Sequence, residues 1–267
     1  MENILNKIIK IKKETIKKTK KIFTEEKILN NIKELDSFVD FKAKMKKINS
    51  EKKISIIAEV KKASPSAGEI VKNFNPLEIA KTYHENGASF LSIVTEEKFF
   101  LGKLDYIKNI KDHLKIPVLC KDFFIDPYQV ALAKSFGADC ILIILSAVDK
   151  VLAKDLYQTA NDLNITSIVE VHSENEADNA LYFEDSLIGI NNRNLQTLEV
   201  SLDTSVRLSK ILISHKNPLI SESGIINSSN IKYIIEKTNI SNFLIGESLL
   251  KSENIALKLR ELSQITL

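Results

Sequence analysis

Eight short apolar, β-branched runs recur along this chain, separated by stretches of helical period, and that alternation limits the fold more than any other feature. The runs are 54–60, 90–95, 117–123, 140–145, 167–171, 187–192, 218–223 and 242–246. Near-continuous apolar runs of this length are how parallel strands read when helices cover both faces. The stretches between them carry helix punctuation. Asn75-Pro76 opens a helix at 76–86 that stops at Asn86-Gly87, and Asp126-Pro127 with Gly137 brackets another at 127–136. Each has a capping side chain, a proline in the first turn and a glycine past the end. Further helices are expected at 149–163, 174–182, 203–212, 227–237 and 252–263. Eight strand–helix units in 267 residues fit a closed (β/α)8 barrel, the TIM barrel, which needs about 250 residues. The competitor is an open doubly wound sheet. It would use fewer strands and carry a glycine-rich turn after the first, and none is present.

Ahead of the barrel, residues 3–31 are rich in lysine, with Ile4, Leu5, Ile8, Ile9, Ile11 and Ile16 spaced by threes and fours. This spacing predicts one or two amphipathic helices capping the domain, with a membrane-surface helix as the alternative. Residues 36–48 predict another short helix. The expected organisation is one domain over 1–267, a helical extension at 1–50 on a barrel at 54–267. Apolar residues are 44% and charged residues 27% of the chain, enough for a sizeable core. A net charge of +3 argues against a nucleic-acid surface. Cys120 and Cys140 both sit in apolar runs, as two buried thiols in a reducing compartment would. No apolar run reaches the roughly 20 residues of a membrane span, and no apolar core marks a secretory leader near the start. A soluble, cytoplasmic protein is expected, with no membrane partner.

In such a barrel, function belongs at the carboxyl ends of the strands. Those ends carry Glu59 and Lys61, Thr95, Lys121, Glu170, Asn191, Glu222 with Ser223, and Gly246 with Glu247. One charged strand end is ordinarily a solvated edge. Two lysines and three glutamates aimed at one mouth are harder to dismiss. Glu59 and Lys61 lie two apart, hence on one face: a rim salt bridge, or a lysine held cationic to bind phosphate or give a proton. Lys121 interrupts an apolar run, where an idle ammonium is costly, so it needs carboxylates such as Glu59 and Glu170. Glu170 is equally embedded and suits a general base. Glu222-Ser223-Gly224 and Gly246-Glu247-Ser248 close the last two strands, where backbone N–H groups usually cradle phosphate in this fold. His84, His113, His172 and His215 show no metal-ligand spacing, and nothing matches a dinucleotide or P-loop fingerprint.

Five stretches, in order, resemble the indole-3-glycerol-phosphate synthase family. They are Ile57-Ala58-Glu59-Val60-Lys61-Lys62-Ala63-Ser64-Pro65-Ser66, Thr95 to Phe100, Lys121 to Gln129, Gly189 to Leu195, and Ser221 to Ile225. The similarity runs from about residue 35 to the end, with the N-terminal helices matching the family's elements over the barrel mouth. It implies ring closure, decarboxylation and dehydration of 1-(2-carboxyphenylamino)-1-deoxyribulose 5-phosphate, in tryptophan biosynthesis, with no cofactor and no metal. By the resemblance, Lys121 is the general acid on the ribulose carbonyl and Lys61 lies near the substrate's carboxylate and phosphate. Glu170 serves dehydration as base or acid. Glu59, Asn191 and Glu222 hold those side chains and the substrate hydroxyls. Ser64, Ser223, Gly224, Gly246 and Glu247 fall at phosphate positions, Phe100 and Phe123 wall the anthranilate ring, and Arg193 lies near its carboxylate. Which lysine gives which proton stays open.

The chain departs from the family at Cys120, where arginine is common, at Ala67, where lysine is, and at Leu101, where glutamine is. The resemblance further implies a monomer or weak homodimer, with other subunits of the pathway as possible partners. Two alternatives remain at this point. One is phosphoribosylanthranilate isomerase, whose cysteine and aspartate the set Lys61, Lys121 and Glu170 does not suit. The other is a barrel that has kept a phosphate site as a binding subunit.

Overall fold

In a computed structural model, residues 4–35, 38–195 and 197–265 are described. The eight apolar runs are eight strands: β1 (Ser55–Val60), β2 (Phe90–Val94), β3 (Val118–Lys121), β4 (Cys140–Ile144), β5 (Thr166–Val171), β6 (Leu187–Asn191), β7 (Leu219–Glu222) and β8 (Asn242–Ile245). Each pairs in parallel with its sequence neighbours, and β8 returns to β1 with Asn242 opposite Ser55. The closed (β/α)8 barrel is therefore present, and the open sheet is excluded.

The helices are α1 (Ile4–Ile22), α2 (Glu25–Lys33), α3 (Phe41–Ser50), α4 (Pro76–Glu85), α5 (Asp105–Lys111), α6 (Tyr128–Ser135), α7 (Lys150–Asp162), α8 (Glu174–Ala180), α9 (Asp203–Ile211), α10 (Ser228–Lys237), α11 (Glu247–Leu250) and α12 (Ile255–Ser263). Asn75 caps α4 by accepting from the Glu78 N–H at 3.3 Å. Gly87 and Gly137 end α4 and α6 at φ of 109° and 92°, a region a side chain disfavours. Three differences from expectation have local causes. The helix expected from 36 begins at Phe41, because Asp40 accepts from the Ala43 N–H; Asp36 and Ser37 lie outside the described residues. The helix expected from 252 begins at Ile255, because Asn254 caps it. Helix α5 buries only Ile107 and Ile110, too short a stripe for its period to show.

Two apolar layers hold the barrel. One lies between strands and helices. The other fills the interior with Ile57, Phe90, Leu119, Cys140, Leu142, Ile168, Leu187, Ile220 and Leu244, and α3 adds Phe41 and Met45 to it. The Phe41 and Phe90 rings are 4.2 Å apart. Phe90 opens β2, so α3 plugs the amino-terminal end of the barrel. Among the described residues, the carboxyl end is the one left open. Both cysteines are free and buried, and burial pushes the Cys120 thiol up to about 12, so it is no nucleophile at neutral pH. No described helix is long and apolar enough to cross a membrane.

Helix α1 lies against the open end and is fastened to the loop after β3. Lys12 Nζ sits 2.6 Å from Asp122 Oδ1, with both side chains largely buried. Lys20 reaches Asp126 at 2.7 Å, and the Tyr128 hydroxyl donates to the Phe23 carbonyl. Lys12→Met leaves Asp122 with the Thr95 hydroxyl and the Phe123 N–H. The expected loss is about 3 kcal/mol, the low end for losing one partner of a buried pair. A thermal melt would show it as a fall of several degrees; an unchanged melt would mean that α1 is not held this way.

Candidate active site

The strand-end charges meet. Lys121, closing β3, places Nζ 2.8 Å from Glu222 Oε2 on β7, 3.6 Å from Glu170 Oε2 on β5 and 3.9 Å from Glu59 Oε2 on β1. Lys61, just past β1, sits 2.6 Å from Glu59 Oε1. The three carboxylates are almost wholly buried, while about a fifth of the Lys121 side chain is open. Burial works against the Lys121 charge, yet the three carboxylates overcome it and raise its proton affinity well above that of an ordinary lysine. Burial also pushes Glu59 up, and Lys61 and Lys121 more than reverse it. Glu170 goes the same way, lowered by Lys121 and His172 against its burial. Glu222 goes the other way, up to about 7, because burial and the neighbouring Glu170 carboxylate outweigh Lys121.

Two glycines make room for this cluster. A β-carbon at Gly189 would run into Glu222 Oε1, and one at Gly246 into the Glu59 side chain. Glu222 thus lies flat against β6 beneath Lys121, with Oε1 lacking a hydrogen-bond partner among the described residues. Behind Glu170 stands His172, its Nε2 3.2 Å from Glu170 Oε1 and its Nδ1 3.3 Å from Glu176 Oε2.

A cavity of about 850 Å³ opens above the cluster. Glu59, Lys61, Lys121, Glu170 and Asn191 line its floor, and Ile4, Leu5 and Ile8 of α1 form part of its wall. Ser64, Phe100, Phe123, Arg193, Ser223, Gly224, Gly246 and Glu247 line it too. Of the strand-end residues expected from sequence, Glu222 stays beneath the surface of the cavity, and Thr95 lies off it with its hydroxyl donating to Asp122. The Phe100 and Phe123 rings are 6.2 Å apart and form one apolar side. Phe100 is placed by Glu96, whose carboxylate accepts the N–H groups of Lys98, Phe99 and Phe100 at 2.7–3.0 Å. Arg193 lies 3.6 Å from Glu247 across the rim. Ser223 and Gly224 both take left-handed backbone, at φ of 66° and 82°. For a serine this is strained, and strain of that kind gathers at ligand-holding turns.

A family model described as indole-3-glycerol phosphate synthase matches residues 5–262. The chain belongs to the indole-3-glycerol phosphate synthase family. Relatives of that name agree over their whole length. The protein from Endomicrobium trichonymphae is 40% identical over 264 residues, 97% of this chain and 99% of its own. The one from Polaromonas naphthalenivorans is 40% identical over 98% and 99%. Among solved structures, 3-hexulose-6-phosphate synthase superposes with a TM-score of 0.59 at 14% identity, over 79% of this chain and 98% of its own. N-(5'-phosphoribosyl)anthranilate isomerase from Pyrococcus furiosus superposes with 0.57 at 13%, over 79% and 97%. At such identities these two share the fold alone.

As a synthase of this family, the chain is a carboxy-lyase acting on a small phosphorylated substrate. Its departures from the family pattern stay off the cavity. Cys120 faces the helices in the outer core, Ala67 donates its N–H to the Ser64 hydroxyl, and Leu101 sits in a left-handed turn at φ 55°. Sequence reasoning passed over His172, Glu176, Gly189 and Glu96. A signal existed for the first two: Glu170 and His172 share a strand face, and Ser173 to Glu176 is the spacing of a capping box, which turns Glu176 back toward the strand.

Proposed function

We propose that Lys121 protonates the ribulose carbonyl as the anthranilate ring carbon attacks it, and that Glu170 moves the protons of the later dehydration. Ring closure builds charge on the carbonyl oxygen, so a cationic donor fixed there stabilises the transition state. Expulsion of carbon dioxide feeds its electron pair into the iminium left by the attack, and the ring regains aromaticity. Glu59, Asn191 and Glu222 hold those side chains and the substrate hydroxyls, and Lys61 lies near the substrate's carboxylate and phosphate. Ser64, Ser223, Gly224, Gly246 and Glu247 take the phosphate. Phe100 and Phe123 take the anthranilate ring, with Arg193 at its carboxylate. One observation carries the proposal: a single ammonium within 3.9 Å of three carboxylates, on the floor of a cavity whose rim has an apolar side and a backbone turn strained at Ser223. Anchoring both ends of a flexible substrate is a proximity device.

The test is fluorescence-monitored formation of indoleglycerol phosphate. Glu170→Gln is expected to lower kcat by about a hundredfold, the usual scale for a lost acid–base group, with KM changed little. A Glu170→Gln rate equal to that of wild type would remove Glu170 from the chemistry.

A further inference from the structure

The proposed reaction consumes a proton. Its substrate enters as an aryl carboxylate and carbon dioxide leaves neutral. Dehydration gives one proton to the departing hydroxyl and takes one from the methylene carbon, so it balances by itself. The proton that Lys121 delivers to the carbonyl oxygen is the one not returned, and the ammonium must be refilled from solvent each turnover. With substrate filling the cavity, water is displaced from the open side of Lys121, so refilling calls for a second route.

We propose, resting on the reading of the site above, that Glu176, His172 and Glu170 form that route, carrying one proton per turnover from the surface behind the barrel to Lys121. The three side chains stand in sequence between solvent and Lys121, at hydrogen-bond to ion-pair distances. Glu176, on α8, has about a fifth of its side chain in solvent, and its Oε2 takes the His172 N–H at 2.7 Å and faces Nδ1 at 3.3 Å. His172 is nearly buried, and its Nε2 faces Glu170 Oε1 at 3.2 Å, an approach not aligned as a hydrogen bond. The other oxygen of the same carboxylate, Oε2, faces Lys121 at 3.6 Å. Glu170 thus bridges imidazole and amine with its two oxygens. Neither His172 nor Glu176 lines the cavity, so the route leaves on the far side of Glu170.

The direction of flow is downhill. Burial lowers the His172 proton affinity, but Glu170 and Glu176 raise it to about 9, so the ring is cationic at neutral pH. A Lys121 amine that has just given up its proton binds one far more strongly. Lys121 loses its charge at that moment, and Glu170 then loses the cation that held it as a carboxylate, which readies it to pass a proton. The charged groups facing His172 are Glu170 and Glu176; Lys121 and Glu222 lie one step further on. His172 lies off the cavity and is a positioning and relay residue.

The test is steady-state formation of indoleglycerol phosphate by the full chain across pH. His172→Ala is expected to slow it by ten- to a hundredfold with KM unchanged, and added imidazole is expected to restore the rate in proportion to its concentration. Glu176→Gln keeps an acceptor for the His172 N–H but removes a charge, so the alkaline limb expected near pH 9 moves to lower pH. A loss in His172→Ala that imidazole leaves untouched marks a structural role and overturns the relay. An alkaline limb unmoved by Glu176→Gln also overturns it, and decides alone should His172→Ala not fold. A wild type that binds substrate but closes no ring overturns the parent reading and the relay with it.

Discussion

Replacing Lys121 with methionine is expected to lower kcat by about a thousandfold, since it removes both the proposed proton donor and the charge it would bring to the carbonyl oxygen. The stem of methionine fills most of the space, so the loss is chemical and not a cavity. A second effect identifies the cause. Glu59 keeps Lys61 and Glu170 keeps His172, but Glu222 has Lys121 as its ion-pair partner. Without that ammonium, the Glu222 carboxyl, already up to about 7, goes higher and is neutral at pH 7. A carboxyl whose folded pKa exceeds its unfolded one binds more protons folded than unfolded. Its stabilising contribution is complete below the unfolded pKa and is lost as pH rises through the folded value. Lys121→Met should therefore be near wild type in thermal stability at pH 6 and fall away more steeply toward pH 9. A variant with kcat within tenfold of wild type, or one whose melting shows no added dependence on pH, would remove Lys121 from the centre of the site.

Why the strands were legible and parts of the site were not follows from range. Strand positions are set by local composition: Cys140 to Ile144 is apolar at every position because both faces of β4 are covered. The strand-end glutamates and lysines stood out for the same reason, as charges interrupting such runs. Barrel closure then decides which charge meets which. Glu59 and Glu170 are natural partners for Lys121 from the sequence, yet Glu222 is the nearest, since the stagger of β7 brings its last residue beneath the end of β3. The Lys12 to Asp122 pair spans 110 positions, and no periodicity foretells it. Gly189 is invisible for a different reason. A glycine announces freedom of the backbone, whereas this one supplies an absence of side chain that another residue fills.

That absence makes Gly189→Ala the second large effect. The added methyl would overlap Glu222 Oε1 and press on Ile168 Cγ2 at 3.1 Å. Ile168 is packed inside the barrel and cannot yield, and Gly189 is fixed by pairing with Glu170 on β5 and Ile220 on β7. The Glu222 carboxyl is the free end, so it turns, and in turning it leaves Lys121. Misplacement of a reacting group by about 1 Å costs on the order of a hundredfold, so kcat should fall by that much. Overpacking adds about 1–3 kcal/mol of destabilisation. A double-mutant cycle separates the two. If the alanine acts through Glu222, adding Gly189→Ala to Glu222→Ala costs no further kcat, because the group it displaces is already gone. Additive losses would mean that the methyl damages the strand itself, and that the space at Gly189 serves the barrel and not Lys121.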